Sequence, residues 1–147
     1  MKVNVKTKAI ERLNKFGIRP SLQRIEVMNY LLKHYNHPTA ETIFVNLFPQ
    51  IPTLSKTTVY NTLKLLVRHG AIAEVNIDER NSRYDADIST HAHFKCSNCG
   101  YLCDVPVKKS KLLSIKKIGS LTISESQLYY KGYCEKCNNK LSKIINS

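Results

Sequence analysis

In the first half of the chain, apolar residues return every three or four positions, the period of a helix with one buried face. Ile10 and Leu13 carry that rhythm through Lys6–Phe16, and Gly17 is placed to end the helix. Ser21 can cap a second helix, Leu22–His34, on which Leu22, Ile25, Met28 and Leu32 fall at helical spacing. His37-Pro38 breaks the chain, Thr39 can cap a third helix bearing Ile43 and Leu47, and Pro49 and Pro52 enclose a turn. A fourth helix is expected from its cap Ser55 to about His69, closed by Gly70.

After Gly70 the pattern changes. Ala71–Ile77 and Ser82–Ala86 read as short strands joined by the polar turn Asp78-Glu79-Arg80-Asn81. Helices followed by such a hairpin predict a winged helix-turn-helix. Further strands are expected at His93–Cys96, Tyr101–Val105 and Leu121–Lys131, with a basic helix near Lys108–Ile118 and a frayed tail from Ile144 to Ser147. The predicted class is α+β, with a winged-helix domain over 1–83 and a small α/β domain over 84–147.

Charge sharpens this picture. The net +12 divides into 13 basic and 6 acidic residues up to Arg83, and 10 and 5 beyond it. Positive charge spread over both halves favours a polyanionic partner, chiefly nucleic acid. No apolar run reaches the ~18 residues of a membrane span. The start, Met1 to Lys15, is charged throughout and lacks the apolar stretch of a signal peptide, so a cytoplasmic protein is expected. Five cysteines in such a chain should be reduced, which points their spacing towards metal.

On the fourth helix, Val59, Leu63, Leu66 and Val67 form one apolar face. Thr57, Asn61, Lys64 and Arg68 fall opposite, with Tyr60 at the edge. A helix in the major groove needs such groups to read base edges and hold phosphates. Asn61 can pair with adenine, Thr57 or Tyr60 can touch phosphate or a thymine methyl, and Lys64 and Arg68 can hold the backbone. An ordinary solvated face looks similar; the hairpin and the overall charge favour double-stranded DNA.

Cys96-Ser-Asn-Cys99 and Cys134-Glu-Lys-Cys137 are two C-x-x-C pairs near strand ends. Together they can close a tetrahedral Cys₄ site, the usual arrangement for structural Zn²⁺. The 34 residues between Cys99 and Cys134 would then enclose a whole small domain. Cys103, in the apolar strand, reads as a small packing residue. His91-Ala-His93 puts two imidazoles on one face of an extended segment, with Asp85, Asp87 and Asp104 nearby in sequence. Imidazole with carboxylate suits Fe²⁺, Mn²⁺ or Zn²⁺.

These motifs resemble the ferric uptake regulator family of bacterial metal- and stress-responsive repressors along essentially the whole chain. The matching stretches are Gly17-Ile-Arg-Pro-Ser-Leu-Gln-Arg24, His37-Pro-Thr-Ala-Glu-Thr42, Thr57-Thr-Val-Tyr-Asn-Thr-Leu63, Arg83-Tyr-Asp85 and His91-Ala-His-Phe-Lys-Cys-Ser-Asn-Cys-Gly100, with the terminal C-x-x-C. The resemblance implies an N-terminal DNA-binding domain, a C-terminal domain that makes a homodimer, and structural zinc on Cys96, Cys99, Cys134 and Cys137. It also implies a regulatory metal on His37, Asp85, His91, His93 and Asp104; local spacing alone would not have selected His37.

Within the family, two aspartates at 85 and 104 resemble the peroxide-sensing branch, whereas iron sensors tend to carry glutamates there. Ser124-Glu-Ser-Gln-Leu128 also lacks the histidine that iron and zinc sensors often place before the last C-x-x-C, and the His-rich run is short. The expectation is a repressor whose regulatory Fe²⁺, but not Mn²⁺, allows peroxide to oxidise His37 or His91; the alternative is an iron- or zinc-responsive repressor. A small non-haem iron enzyme is the rival of another class, against which stands the lack of any recognisable acid–base constellation. No enzyme is expected.

Overall fold

The computed structural model describes residues 4–78, 80–108 and 111–145. Glu79 of the expected hairpin turn, Lys109 and Ser110 of the expected basic helix, and the tail residues Asn146 and Ser147 lie outside them. So do Met1, Lys2 and Val3 at the start.

The chain divides into two compact units, Met1–Ile88 and Ser89–Ser147. The division falls after Ile88 where the sequence suggested Arg83, because the hairpin strand carrying Asp85 pairs within the first unit.

Four helices and a hairpin make the first unit: α1 (Val5–Lys15), α2 (Leu22–Lys33), α3 (Ala40–Leu47), α4 (Lys56–Arg68), β1 (Ala73–Val75) and β2 (Arg83–Asp85). The expected caps are in place. Ser21, Thr39 and Ser55 each accept a hydrogen bond from the backbone N–H three residues on, satisfying a donor the helix itself leaves unpaired. Leu13, Val27, Met28, Leu31, Ile43, Val59, Leu63 and Leu66 form the centre of one core.

The buried face of α2 differs from the predicted one. Leu22 is 61% exposed, while Val27, Met28 and Leu31 are fully buried, together with the polar Glu26 and Asn29. The helix packs against α1, α3 and α4, so its buried stripe is wide and includes a carboxylate, which Lys6 meets at 2.7 Å. The hairpin strands are also shorter than expected, three residues each, paired antiparallel with Ala73 opposite Asp85.

In the second unit β3 (Ala92–Cys96) is central, antiparallel to β4 (Leu102–Val105) and parallel to β7 (Tyr129–Gly132). Where a basic helix was expected there is a single 3₁₀ turn, Lys111–Ser114, followed by a small hairpin of β5 (Lys117–Ile118) and β6 (Leu121–Thr122). Ile118-Gly119-Ser120-Leu121 makes the hairpin turn, with Gly119 at φ +58°, a left-handed conformation that stops a helix. The single strand expected over Leu121–Lys131 is split into β6 and β7. A terminal helix, α5 (Glu135–Ile145), runs through residues partly expected to fray.

Among the described residues of this unit only Ala92, His93, Cys96 and Cys137 are buried. So few buried apolar groups make a weak core, and a metal has correspondingly more to contribute. Among the described residues, no helix is long and apolar enough to cross a membrane.

Candidate metal centres and nucleic-acid interface

The parallel pairing of β3 with β7 places Cys96 opposite Gly132, so the chain leaving β7 reaches Cys134 at the same end of the sheet. Between β3 and β4, Cys96-Ser-Asn-Cys99-Gly100 makes a tight turn. The Gly100 N–H bonds to the Cys96 carbonyl at 3.0 Å, and Gly100 sits at φ +77°, which a side chain would resist. The second pair straddles the start of α5, where the Asn138 N–H bonds to the Cys134 carbonyl at 2.8 Å.

The four Sγ atoms lie within 4.8 Å of one another, and those of Cys99 and Cys134 are 3.7 Å apart. A tetrahedron with Zn–S bonds of about 2.3 Å has edges of about 3.8 Å. Three N–H groups face the sulfurs: Cys99 N and Cys134 N approach Cys96 Sγ at 3.5 and 3.4 Å, and Asn98 Nδ2 approaches Cys137 Sγ at 3.2 Å. Hydrogen bonds from the Cys99 and Cys134 backbones lower the Cys96 thiol to about 6, against burial. Cys99 is pushed the other way, to about 11. The Tyr101 backbone lowers it, but sharing with Cys96, loss of water, and the Cys134 and Cys137 thiols outweigh that. Opposite shifts in neighbouring thiols are what crowding produces without a cation, and a divalent ion lets all four ionise. The set fits structural Zn²⁺. Cys103 stands outside it, opposite Phe94 in the β3–β4 pair.

The histidine and aspartate donors form two half-sites, one in each unit. In the first, His37 Nε2 lies 3.4 Å from Asp85 Oδ2, with both side chains almost fully buried. His37 has φ +54°, an unusual conformation for a residue with a side chain. The hairpin holds it there: Arg83 Nη1 donates to the His37 carbonyl at 3.2 Å and Tyr84 N–H to the Pro38 carbonyl at 3.0 Å. Asp85 Oδ1 accepts the Asp87 N–H at 2.8 Å, and Oδ2 is turned towards His37.

In the second half-site, His93 and Asp104 are cross-strand partners. His91 Nε2 and His93 Nε2 are 3.1 Å apart, and Asp104 Oδ1 lies 3.3 and 3.4 Å from them. His91 Nδ1 is 2.7 Å from the Ser89 carbonyl, which requires its proton on Nδ1 and turns the Nε2 lone pair inward. Two imidazole nitrogens and a carboxylate oxygen at 3.1–3.4 Å match donors around one ion with bonds of about 2.1 Å. This N,O donor set suits Fe²⁺ or Mn²⁺ better than the thiolate set does.

On α4, Thr57, Tyr60, Asn61, Lys64 and Arg68 are all exposed, as the helical spacing required. A cleft of about 790 Å³ runs between α4 and the hairpin, lined by Tyr60, Lys64 and Arg68 on one side and Arg80, Asn81 and Ser82 on the other. Arg80 was not singled out from the sequence; Asp78 organises its turn by accepting the Arg80 N–H at 3.1 Å.

Residues 15–130 match the ferric uptake regulator family. The chain belongs to that family. The peroxide operon regulator of Bacillus subtilis is 31% identical over 134 residues, spanning 90% of this chain and 92% of that protein. The peroxide-responsive repressor PerR of Staphylococcus epidermidis is 28% identical over 134 residues, 90% of this chain and 89% of that one. Among solved structures, PerR from Streptococcus pyogenes is 26% identical with a TM-score of 0.51, covering 92% of this chain and 94% of that one. The Helicobacter pylori ferric uptake regulator shares the fold, with a TM-score of 0.67 at 23% identity over 94% and 97% of the two chains. As a ferric uptake regulator family member the chain is a metal-dependent transcriptional repressor, and its relatives are named as regulators rather than enzymes.

Proposed function

We propose that the chain is a homodimeric, cytoplasmic repressor of double-stranded operator DNA that responds to hydrogen peroxide through a regulatory Fe²⁺ on His37, Asp85, His91, His93 and Asp104. The observation that carries this is the pair of half-sites. Each sets an aspartate against histidine within 3.4 Å, and a single ion drawing on both would restrain the angle between the units. In a dimer that angle sets the separation of two α4 helices, which must match half-sites about 34 Å apart. Metal therefore raises the fraction of binding-competent dimers.

Dimer formation is supported by the second unit's surface. Tyr101, Leu112, Ile118, Leu121, Tyr130 and Tyr133 are all about half exposed or more beside a weak core, a pattern that calls for a covering partner. When bound, Fe²⁺ would open H₂O₂ by electron transfer, and the net change would be one peroxide oxygen inserted at an imidazole C–H of His37 or His91 while the other leaves as water, the peroxide serving as the two-electron oxidant. His91 is suited to this role because the Ser89 carbonyl presents its ring to the ion from a fixed direction. Similarity to peroxide-responsive repressors at 28–31% identity supports the same reading.

Operator binding by Fe²⁺- and Mn²⁺-loaded protein, with and without peroxide, tests it. Loss of binding only in the Fe²⁺ form is expected. Binding in both forms after micromolar peroxide would make the chain an iron- or zinc-level sensor.

A further inference from the structure

The antiparallel ladder of the hairpin ends at Ala73 opposite Asp85. No further rung is formed beyond that pair among the described residues, and Ala71 and Ala86 are both essentially fully buried. Buried carbonyls need donors. Arg12, from α1, supplies both: its Nη1 lies 2.9 Å from the Ala71 oxygen and 2.9 Å from the Ala86 oxygen. One guanidinium nitrogen carries two N–H bonds, one for each carbonyl. A side chain 59 and 74 residues away in sequence thus bridges the two strands just past their last rung.

Ala86 directly follows Asp85. The Asp85 carboxylate is held on its other side by the Asp87 N–H, and its Oδ2 faces His37. His37 in turn is tied by its carbonyl to Arg83 of the same strand. These tethers come from the hairpin and the loop that follows it. Arg12 acts from outside, fixing the end of β2 to the helical core.

We propose that Arg12 is a positioning residue for the regulatory metal: by clamping the Ala71 and Ala86 carbonyls it holds Asp85 in register opposite His37. The inference rests on the assignment of Asp85 as a ligand. Lysine at position 12 keeps the charge but offers a compact ammonium on a shorter arm, without the planar donor pair that spans two carbonyls. Glutamine removes the charge and keeps N–H donors on a shorter arm still.

The test is a double-mutant cycle on the zinc-loaded full chain, with Mn²⁺ binding followed by electron paramagnetic resonance and folding by thermal unfolding without Mn²⁺. Arg12→Lys should weaken Mn²⁺ binding on the order of tenfold, the scale of losing a group that orients a ligand, with zinc content unchanged. Arg12→Gln should weaken it at least as much. In an Asp85→Asn background, Arg12→Lys should add little further loss, because the clamp acts through Asp85. Two results would overturn the proposal. One is parental Mn²⁺ affinity in both Arg12 variants. The other is an equal loss from Arg12→Lys with and without the Asp85→Asn change, which marks a general effect on folding. Parental Mn²⁺ affinity in Asp85→Asn alone would instead sink the ligand assignment on which the inference rests.

Discussion

His93 and Asp104 face each other across β3 and β4, with Nε2 and Oδ1 3.4 Å apart, and His91 completes the group from the segment just before β3. The register fixes this arrangement: a slip of one residue would turn His93 and His91 to the other face and leave Asp104 opposite an alanine or a phenylalanine. Removing either partner should therefore disable the half-site without disturbing the sheet. His93→Ala and Asp104→Ala are each expected to lower Mn²⁺ affinity by at least about tenfold while zinc stays bound. Calorimetric Mn²⁺ titration beside metal analysis checks both, and parental affinity in either variant would exclude that residue as a ligand.

Cys96 and Cys103 are seven residues apart on adjacent strands, yet their substitutions should differ sharply. Cys96→Ser removes a thiolate that two backbone N–H groups support, and should cost about one zinc per chain along with the folded second unit. Cys103→Ser should keep the zinc. Gly100→Ala, forced to hold φ +77°, should cost about 1–2 kcal/mol, read as a lower unfolding midpoint with zinc retained. Protons compete with the ion for thiolates, so zinc should leave as pH falls. Zinc release monitored by a chromogenic chelator across pH would show it, and a zinc-retaining monodisperse Cys96→Ser protein would remove the Cys₄ assignment.

Much of this was legible in the chain because local chemistry decided it. Ser21, Thr39 and Ser55 announce helix starts, and the C-x-x-C pairs announce a closed thiolate site whose distances the structure then supplies. Other features depend on partners distant in sequence. The buried stripe of α2 could not be centred from apolar residues alone, since three helices surround it and Glu26 is buried by virtue of Lys6. The parallel neighbour of β3 is β7, more than thirty residues on, and no local pattern marks that pairing. Helix α5 does carry a local signal, because Cys137, Leu141 and Ile144 fall at helical spacing, but the cysteine's role as a ligand masks its place in that pattern. Local spacing does not mark His37, because its partner Asp85 lies 48 residues on and only the hairpin brings the two together.

Asn61 and Lys64 lie on the same exposed side of α4, but they should fail differently. Asn61→Ala should relax base preference at a cost of about 1–3 kcal/mol for one lost base contact. Lys64→Ala should weaken binding to every sequence and flatten the salt dependence by about one unit of slope per contact. Arg80 lines the same cleft from the hairpin, so Arg80→Ala should behave like Lys64→Ala if that cleft receives a phosphate backbone. Fluorescence anisotropy with operator and scrambled duplexes, repeated across salt concentrations, separates base reading from backbone contact. Parental binding in all three variants would move the DNA interface off this face.

Asp104 offers the sharpest test of peroxide sensing, because its oxygen sits near both ring nitrogens of the second half-site. Its side chain is one methylene shorter than glutamate, and is about a third exposed while His91 and His93 are nearly covered. A longer carboxylate would reach further round the ion and occupy the position that peroxide needs, while still holding the metal. Asp104→Glu should therefore bind operator with Fe²⁺ or Mn²⁺ much as the parent does, yet keep binding after peroxide. In the Fe²⁺-loaded parent, mass spectrometry after peroxide should show one added oxygen on the peptide carrying His37 or the one carrying His91, and neither in the variant. The paired measurement distinguishes failure modes. A variant that loses metal-dependent DNA binding shows that residue 104 serves affinity rather than reactivity, and a parent that gains no oxygen while its Fe²⁺ form stays on DNA shows that peroxide is not the signal.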